Sequence, residues 1–175
     1  MAYAVVRTDK LHGVDTRIGV CSVRYQPTVE GTATPTEIEN GNVVLLNGLE
    51  TGEREIYVAT TPAANSNFKN IALVAAPEVM YDEHLKNLDQ FINVAGKAAR
   101  AYRLHDGDIF SVTKEALDGA ASPAIGDVVE LKAGTKLNVK AAATGATGGS
   151  TVVGKIIDKN VVGKYTFYAI EVQTA

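Results

Sequence analysis

Apolar and polar residues alternate at period two through the last third of the chain. Gly-Asp-Val-Val-Glu-Leu at 126–131, Lys-Leu-Asn-Val-Lys at 136–140, Thr-Val-Val-Gly-Lys-Ile-Ile at 151–157 and Gly-Lys-Tyr-Thr-Phe-Tyr-Ala-Ile-Glu-Val at 163–172 are four such runs. Gly, Asp, Asn and Lys punctuate the gaps, which is the pattern of antiparallel strands in a small barrel or sandwich. Between the second and third runs, residues 141–150 are almost entirely Ala, Thr and Gly and read as a flexible loop. On the closing run, period two sets Tyr165 and Phe167 on one face and Tyr168 on the other, so one face is expected in the core. An outward tyrosine there is a candidate subunit contact.

Upstream, the same alternation predicts strands at 41–48, closed by an Asn47-Gly48 turn signal, at 53–60 and at 71–76, with a loop at 61–67. Residues 96–104 and 109–114 predict a hairpin around the turn His105-Asp106-Gly107-Asp108. One short helix is predicted over 82–90, with Asp82 as cap, Glu83 in the first turn, and Leu85 and Leu88 on one face. Residues 26–40, with Pro27, Gly31, Pro35 and several threonines, read as an extended connector, and 116–124 as a second connector. The opening residues hold possible strands at 4–6 and 17–24 around turn formers, and could form an arm or join the core.

The fold expected is mainly β: small antiparallel barrel or sandwich units with one short helix and an extended N-terminal segment. Its expected division is an arm and connector at 1–40, a β-rich domain at 41–117 and a barrel-like module at 125–175, the last two able to pack as one domain. Gly41-Asn-Val-Val-Leu-Leu and Gly126-Asp-Val-Val-Glu-Leu share a frame. Six common β residues match readily by chance, and no repeat is inferred from them.

Composition sharpens the picture mainly by exclusion. The chain has 175 residues, 46% of them apolar, which is enough to bury a core and too apolar for wholesale disorder. Trp is absent, and Val, Ala, Thr and Gly are plentiful, so small side chains build the core. A net charge of -3 argues against a nucleic-acid partner. No run approaches the ~20 apolar residues of a membrane span, and the first residues lack a signal-peptide pattern. The single Cys21 excludes an internal disulfide and reads as a small buried hydrophobe.

Candidate chemistry is thin. His12, His84 and His105 stand in no metal-ligand or protease frame. Asp106 and Asp108 flank Gly107 as a turn would, with too few further oxygens to hold calcium. Gly-Ser-Thr-Val-Val-Gly-Lys at 149–155 imitates a phosphate loop, but Ile156 stands where Ser or Thr must hold magnesium, and the run continues as a strand. No catalytic, cofactor-binding or metal-binding residue is assigned, no cofactor is expected, and the chain is not expected to be an enzyme.

Gly-Asp-Val-Val-Glu-Leu, the small-residue stretch, Val-Val-Gly-Lys-Ile-Ile and Tyr-Ala-Ile-Glu-Val, with Ala-Gly-Lys-Ala-Ala-Arg-Ala-Tyr-Arg-Leu at 95–104 upstream, resemble the head decoration (capsid cement) proteins of tailed bacteriophages. The resemblance covers roughly the last half of the chain. It implies a structural virion protein made in the host cytoplasm that sits on the outer capsid surface. There it would bridge major capsid protein subunits, as a homo-oligomer with a trimer favoured. Other virion parts, such as a head fibre base or tail component, and a small β-barrel ligand-binding protein are the alternatives.

Overall fold

The computed structural model describes residues 3–7, 19–80, 82, 84 and 87–173. Thirteen strands are formed in them: β1 (Val20–Tyr25), β2 (Thr28–Val29), β3 (Thr32–Ala33), β4 (Val43–Leu49), β5 (Ile56–Thr60), β6 (Ile71–Val74), β7 (Ala99–Arg103), β8 (Ile109–Thr113), β9 (Leu117–Asp118), β10 (Val128–Glu130), β11 (Leu137–Lys140), β12 (Val152–Val162) and β13 (Tyr165–Val172). The mainly β fold expected from the period-two pattern is what forms. The short helix predicted over 82–90 falls partly on residues 83, 85 and 86, outside the described residues. Of the rest, only Leu88–Gln90 is helical, as a single 3-10 turn, and Asp82 instead accepts a hydrogen bond from the His84 N–H in a local turn.

Two large sheets and a separate two-stranded one, β2 with β3, are formed among the described residues. In the first, β1, β5, β4, β6 and β7 lie side by side in that order and close into a barrel. In the second, the order is β8-β13-β12-β10-β11-β9. Its two edges, β8 and β9, are consecutive in the chain and joined by a single 3-10 turn, Lys114–Ala116. Taken as one interrupted strand, β8 and β9 correspond to β1. With β10, β11, β12 and β13 set against β4, β5, β6 and β7, every neighbour relation then coincides. Even the senses agree: β1 is antiparallel to β7 and parallel to β5, while β8 is antiparallel to β13 and β9 is parallel to β11.

This corrects the chance reading of the two Gly-polar-Val-Val-x-Leu frames, because they occupy equivalent positions. The Gly41 N–H donates to the Val74 carbonyl and the Val74 N–H to the Asn42 carbonyl. The Gly126 N–H donates to the Ile156 carbonyl and the Ile156 N–H to the Asp127 carbonyl. Both glycines have a left-handed φ, +83° and +92°, which lets the chain turn sharply into the strand.

Other boundaries also move. The hairpin expected from 96–104 and 109–114 does not form: β7 pairs with β1 and β6, and β8 pairs with β13. The turn between them instead carries the chain from one sheet to the other. A local pattern of two strands and a turn cannot specify which neighbour each strand chooses. Asn47-Gly48 is not a turn either, since β4 runs through it with a bulge between Leu46 and Leu49, and the reversal comes at residues 50–53. The 1–40 arm loses β1, a barrel strand whose Val23 is fully buried, and the 41–117 unit yields β8 and β9 to the second sheet.

Strand alternation explains the two cores. Cys21, Val23, Val44, Leu46, Ala59, Ala72, Val74, Ala99 and Ala101 fill the first barrel, and their small volumes suit a narrow five-stranded interior. The opposite faces of β4 and β6 send Val43, Ile71 and Leu73 outward against Phe110, Leu131, Leu137, Ile156 and Ile170 of the second sheet. The sheets therefore share one apolar seam. Ala4 and Val6 join it, with Val6 bridged to Val112 and the Arg7 N–H donating to the Ser111 carbonyl, so residues 4–6 belong to the core.

Candidate functional site

The polar residues singled out by sequence are spent on architecture. His12 lies outside the described residues. His105 opens the turn into β8 with its ring half-exposed, and its Nδ1 stands 3.6 Å from Asp108 Oδ2. Asp108 is buried, accepts the His105 N–H at 2.9 Å and so ties the turn, whose Gly107 has φ +87°. Asp127 repeats the device: Oδ2 accepts the Ala124 N–H at 2.9 Å, and Oδ1 accepts the Ala142 N–H at 3.2 Å. Both are aspartates closing a four-residue turn with Gly in third place. No group of three or more His, Cys, Asp or Glu among the described residues could hold a metal ion.

Glu130 is the most deeply buried acid, at 1% exposure. Its carboxylate accepts the Thr147 N–H at 2.6 Å, the Thr147 hydroxyl at 2.7 Å and the Asn138 Nδ2 at 2.7 Å. Burial pushes its pKa up, but these hydrogen bonds outweigh burial and hold it below the ordinary glutamate range. The Ala-Thr-Gly stretch at 141–150, expected to be a flexible loop, is consequently anchored at Ala142 and Thr147. Thr151, just beyond it, donates through N–H and hydroxyl to the Ala64 and Ser66 carbonyls.

The remaining candidates resolve in the same direction. The Cys21 thiol is buried and donates to the Ala101 carbonyl at 3.6 Å, and burial raises its pKa against the weaker pull of Arg103. That is an inert thiol. Lys155 lies in mid-strand, paired to Val128 and Glu171, so no phosphate loop forms. Tyr168 is in the core with the Lys159 ammonium 5.4 Å from its ring centre. The opposite face is covered too: Phe167 lies under the Arg7 guanidinium, and the Tyr165 hydroxyl donates to Asp89 Oδ1 at 3.0 Å. The tyrosine expected to reach outward toward a neighbouring subunit is thus engaged within the chain.

A surface feature that the sequence reading missed is a groove of about 680 Å³ on the outer side of β1 and β7. Pro77, Val79, Phe91, Ile92 and Val94 line it, and Val79 and Val94 are 57% and 61% exposed. Lys97 and Arg100 stand beside them, and neither has an ion pair with a described residue. The one signal in the sequence was a set of apolar residues at 77–94 that follow neither helix nor strand period. Ser22 and Arg100, paired across β1 and β7, have Ser111 and Ala169 as counterparts in the second sheet. Those two line a smaller pocket of about 220 Å³, also lined by Arg7 of the N-terminal segment.

Comparison of the chain with protein-family models, with curated proteins and with solved structures finds no match.

Proposed function

We propose that this protein is a structural virion component that binds the outside of a bacteriophage capsid and stabilises it by bridging major capsid protein subunits, as a homo-oligomer. The observation that carries the reading is how the chain spends its side chains. The buried carboxylates Asp108, Asp127 and Glu130 all hold turns and a loop, whereas the exposed Val79 and Val94 stand with Pro77, Phe91 and Ile92 along one groove. Such a surface is suited to contact rather than to bond-making. Of the motifs that resemble capsid cement proteins, those at 126–131, 151–157 and 168–172 lie in the neighbouring strands β10, β12 and β13 of the second sheet, while the run at 95–104 lies on β7 of the first. A ligand inside the first barrel is disfavoured, since Val23, Val44, Ala59, Ala72, Val74 and Ala101 fill it at full burial.

Many weak contacts repeated over a lattice add up to strong binding without any deep pocket. The purified chain, mixed with expanded heads that lack it, is expected to co-sediment with them and to raise the temperature at which they rupture. Folded protein that stays in the supernatant at saturating concentration overturns the reading.

A further inference from the structure

Residues 28–37 form the least supported element of the fold. All ten are exposed, and within them β2 and β3 pair only with each other, Thr28 with Ala33 and Val29 with Thr32. An isolated two-stranded hairpin is marginally stable in water. The turn at its tip adds to the cost, because Glu30 has φ +49° and Gly31 φ +82°. A two-residue turn of this twist needs both residues in the left-handed region, where Asn or Gly is favoured and Glu is not. Val29 at the tip is 52% exposed, and neither Glu30 nor Glu37 has an ion pair with a described residue. The hairpin therefore presents one apolar side chain and two negative charges that no described residue pairs.

The groove beside β1 and β7 has the complementary character. Its exposed Val79 and Val94 lie with two positive charges that no described residue pairs, Lys97 and Arg100. Glu78, which follows Pro77, accepts a hydrogen bond from Asn40 at 3.2 Å. We infer that the groove is the seat for the β2–β3 hairpin of a second copy of this chain, with Val29 against Val79 and Val94 and with Glu30 and Glu37 facing Lys97 and Arg100. Used head to tail, knob and seat make a heterologous contact that closes into a ring; used reciprocally by two copies, they make an isologous dimer. Apolar contact supplies the affinity and the charges set the register. The inference rests on the association of copies proposed above but not on the capsid, and heads play no part in its test.

The test is sedimentation velocity of the full chain at near-physiological salt over a range of concentrations. An oligomer is expected for the native sequence, weakening as salt rises. Lys97→Glu with Arg100→Glu is expected to weaken association about 100-fold in Kd, since like charges then face each other. Adding Glu30→Lys and Glu37→Lys to that variant is expected to restore it. All four positions are solvent-facing, and a far-UV circular dichroism spectrum identical to the native one verifies folding. Val29→Asp supplies an independent variant on the hairpin alone, with the same expected loss. A native chain that is monomeric at every concentration overturns the inference. So does an oligomer that survives both the groove reversal and Val29→Asp, whether or not the chain binds heads.

Discussion

The closed barrel and the second sheet follow one strand order and treat its closing strand differently. In the first, a single continuous strand, β1, pairs with β7 along its first half and with β5 along its second. In the second, the equivalent strand is broken at Lys114–Ala116, so β8 pairs with β13 and β9 with β11. Their interiors differ accordingly. Small residues, Ala59, Ala72, Ala99 and Ala101 among them, fill the first barrel, whereas the bulkier Phe110, Leu117, Leu131, Leu137, Ile156 and Ile170 form the core on the second sheet. Bulkier side chains are more easily accommodated by a strand that bends midway, and the break at Lys114–Ala116 supplies the bend. One strand order thus tolerates two core compositions, provided that the closing strand is free to kink.

The sharpest difference lies at Gly154, whose counterpart by register is Ala72. Ala72 faces Val44 in the first barrel and carries a fully buried methyl group. Gly154 faces Val129, and a Cβ there would overlap the Glu171 carbonyl of β13. The obstructing atom is backbone, so relief requires the β12–β13 pairing itself to shift. Gly154→Ala is expected to cost about 4 kcal/mol or more, enough to leave much of the protein unfolded. Ala72→Gly removes one methyl and adds backbone freedom, for about 1–2 kcal/mol. Urea denaturation of both variants measures the gap; equal losses would show that the two positions are not distinguished by the backbone approach.

A second test asks whether the barrel and the second sheet are independent. Leu73 leaves the first barrel on its outer face and packs in the seam with the second sheet. Leu73→Ala is expected to cost about 2–5 kcal/mol and to lower the protection of amides in both sheets together under native-state hydrogen exchange. Loss confined to the first barrel would break the claim of a shared core.

Much of this was legible in the chain, and what was not has a common cause. Strand positions follow from period two, and the turns at Gly107 and Gly126 follow from the Gly-Asp pairs that close them. Strand partners do not, because alternation says which side of a strand is buried and nothing about which strand lies beside it. The 96–104 and 109–114 runs look like a hairpin for that reason, yet separate into two sheets. Asn47-Gly48 has the residues of a turn but sits in a bulge, where the pairing of Leu49 with Tyr57 overrides local preference. The equivalence of the two Gly-polar-Val-Val frames was present as six letters and became meaningful only through the shared hydrogen bonds to Val74 and Ile156. The groove was invisible because its residues come from β1, β7 and the long connection between β6 and β7.

The smallest expected effect concerns the frame position where an apolar residue of the first barrel is replaced by a charge in the second sheet. Leu45 of β4 packs against the seam, while its counterpart Glu130 of β10 is an ionised carboxylate held by Thr147 and Asn138. Its pKa lies lower folded than unfolded, so the folded state binds its proton less readily. The resulting stability is present above the unfolded value, roughly 4.3, and is lost as pH falls through the folded value. Glu130→Gln removes the charge but keeps the shape, and it presents an amide N–H₂ in place of one acceptor. At pH 7 it is expected to cost about 1–3 kcal/mol, with the deficit narrowing toward pH 3 as the native carboxyl takes up its proton. Urea midpoints for both proteins at pH 7, 5 and 3 measure this. A constant difference across that range would mean that Glu130 acts through packing, as Leu45 does, and that the charge contributes nothing to anchoring the 141–150 loop.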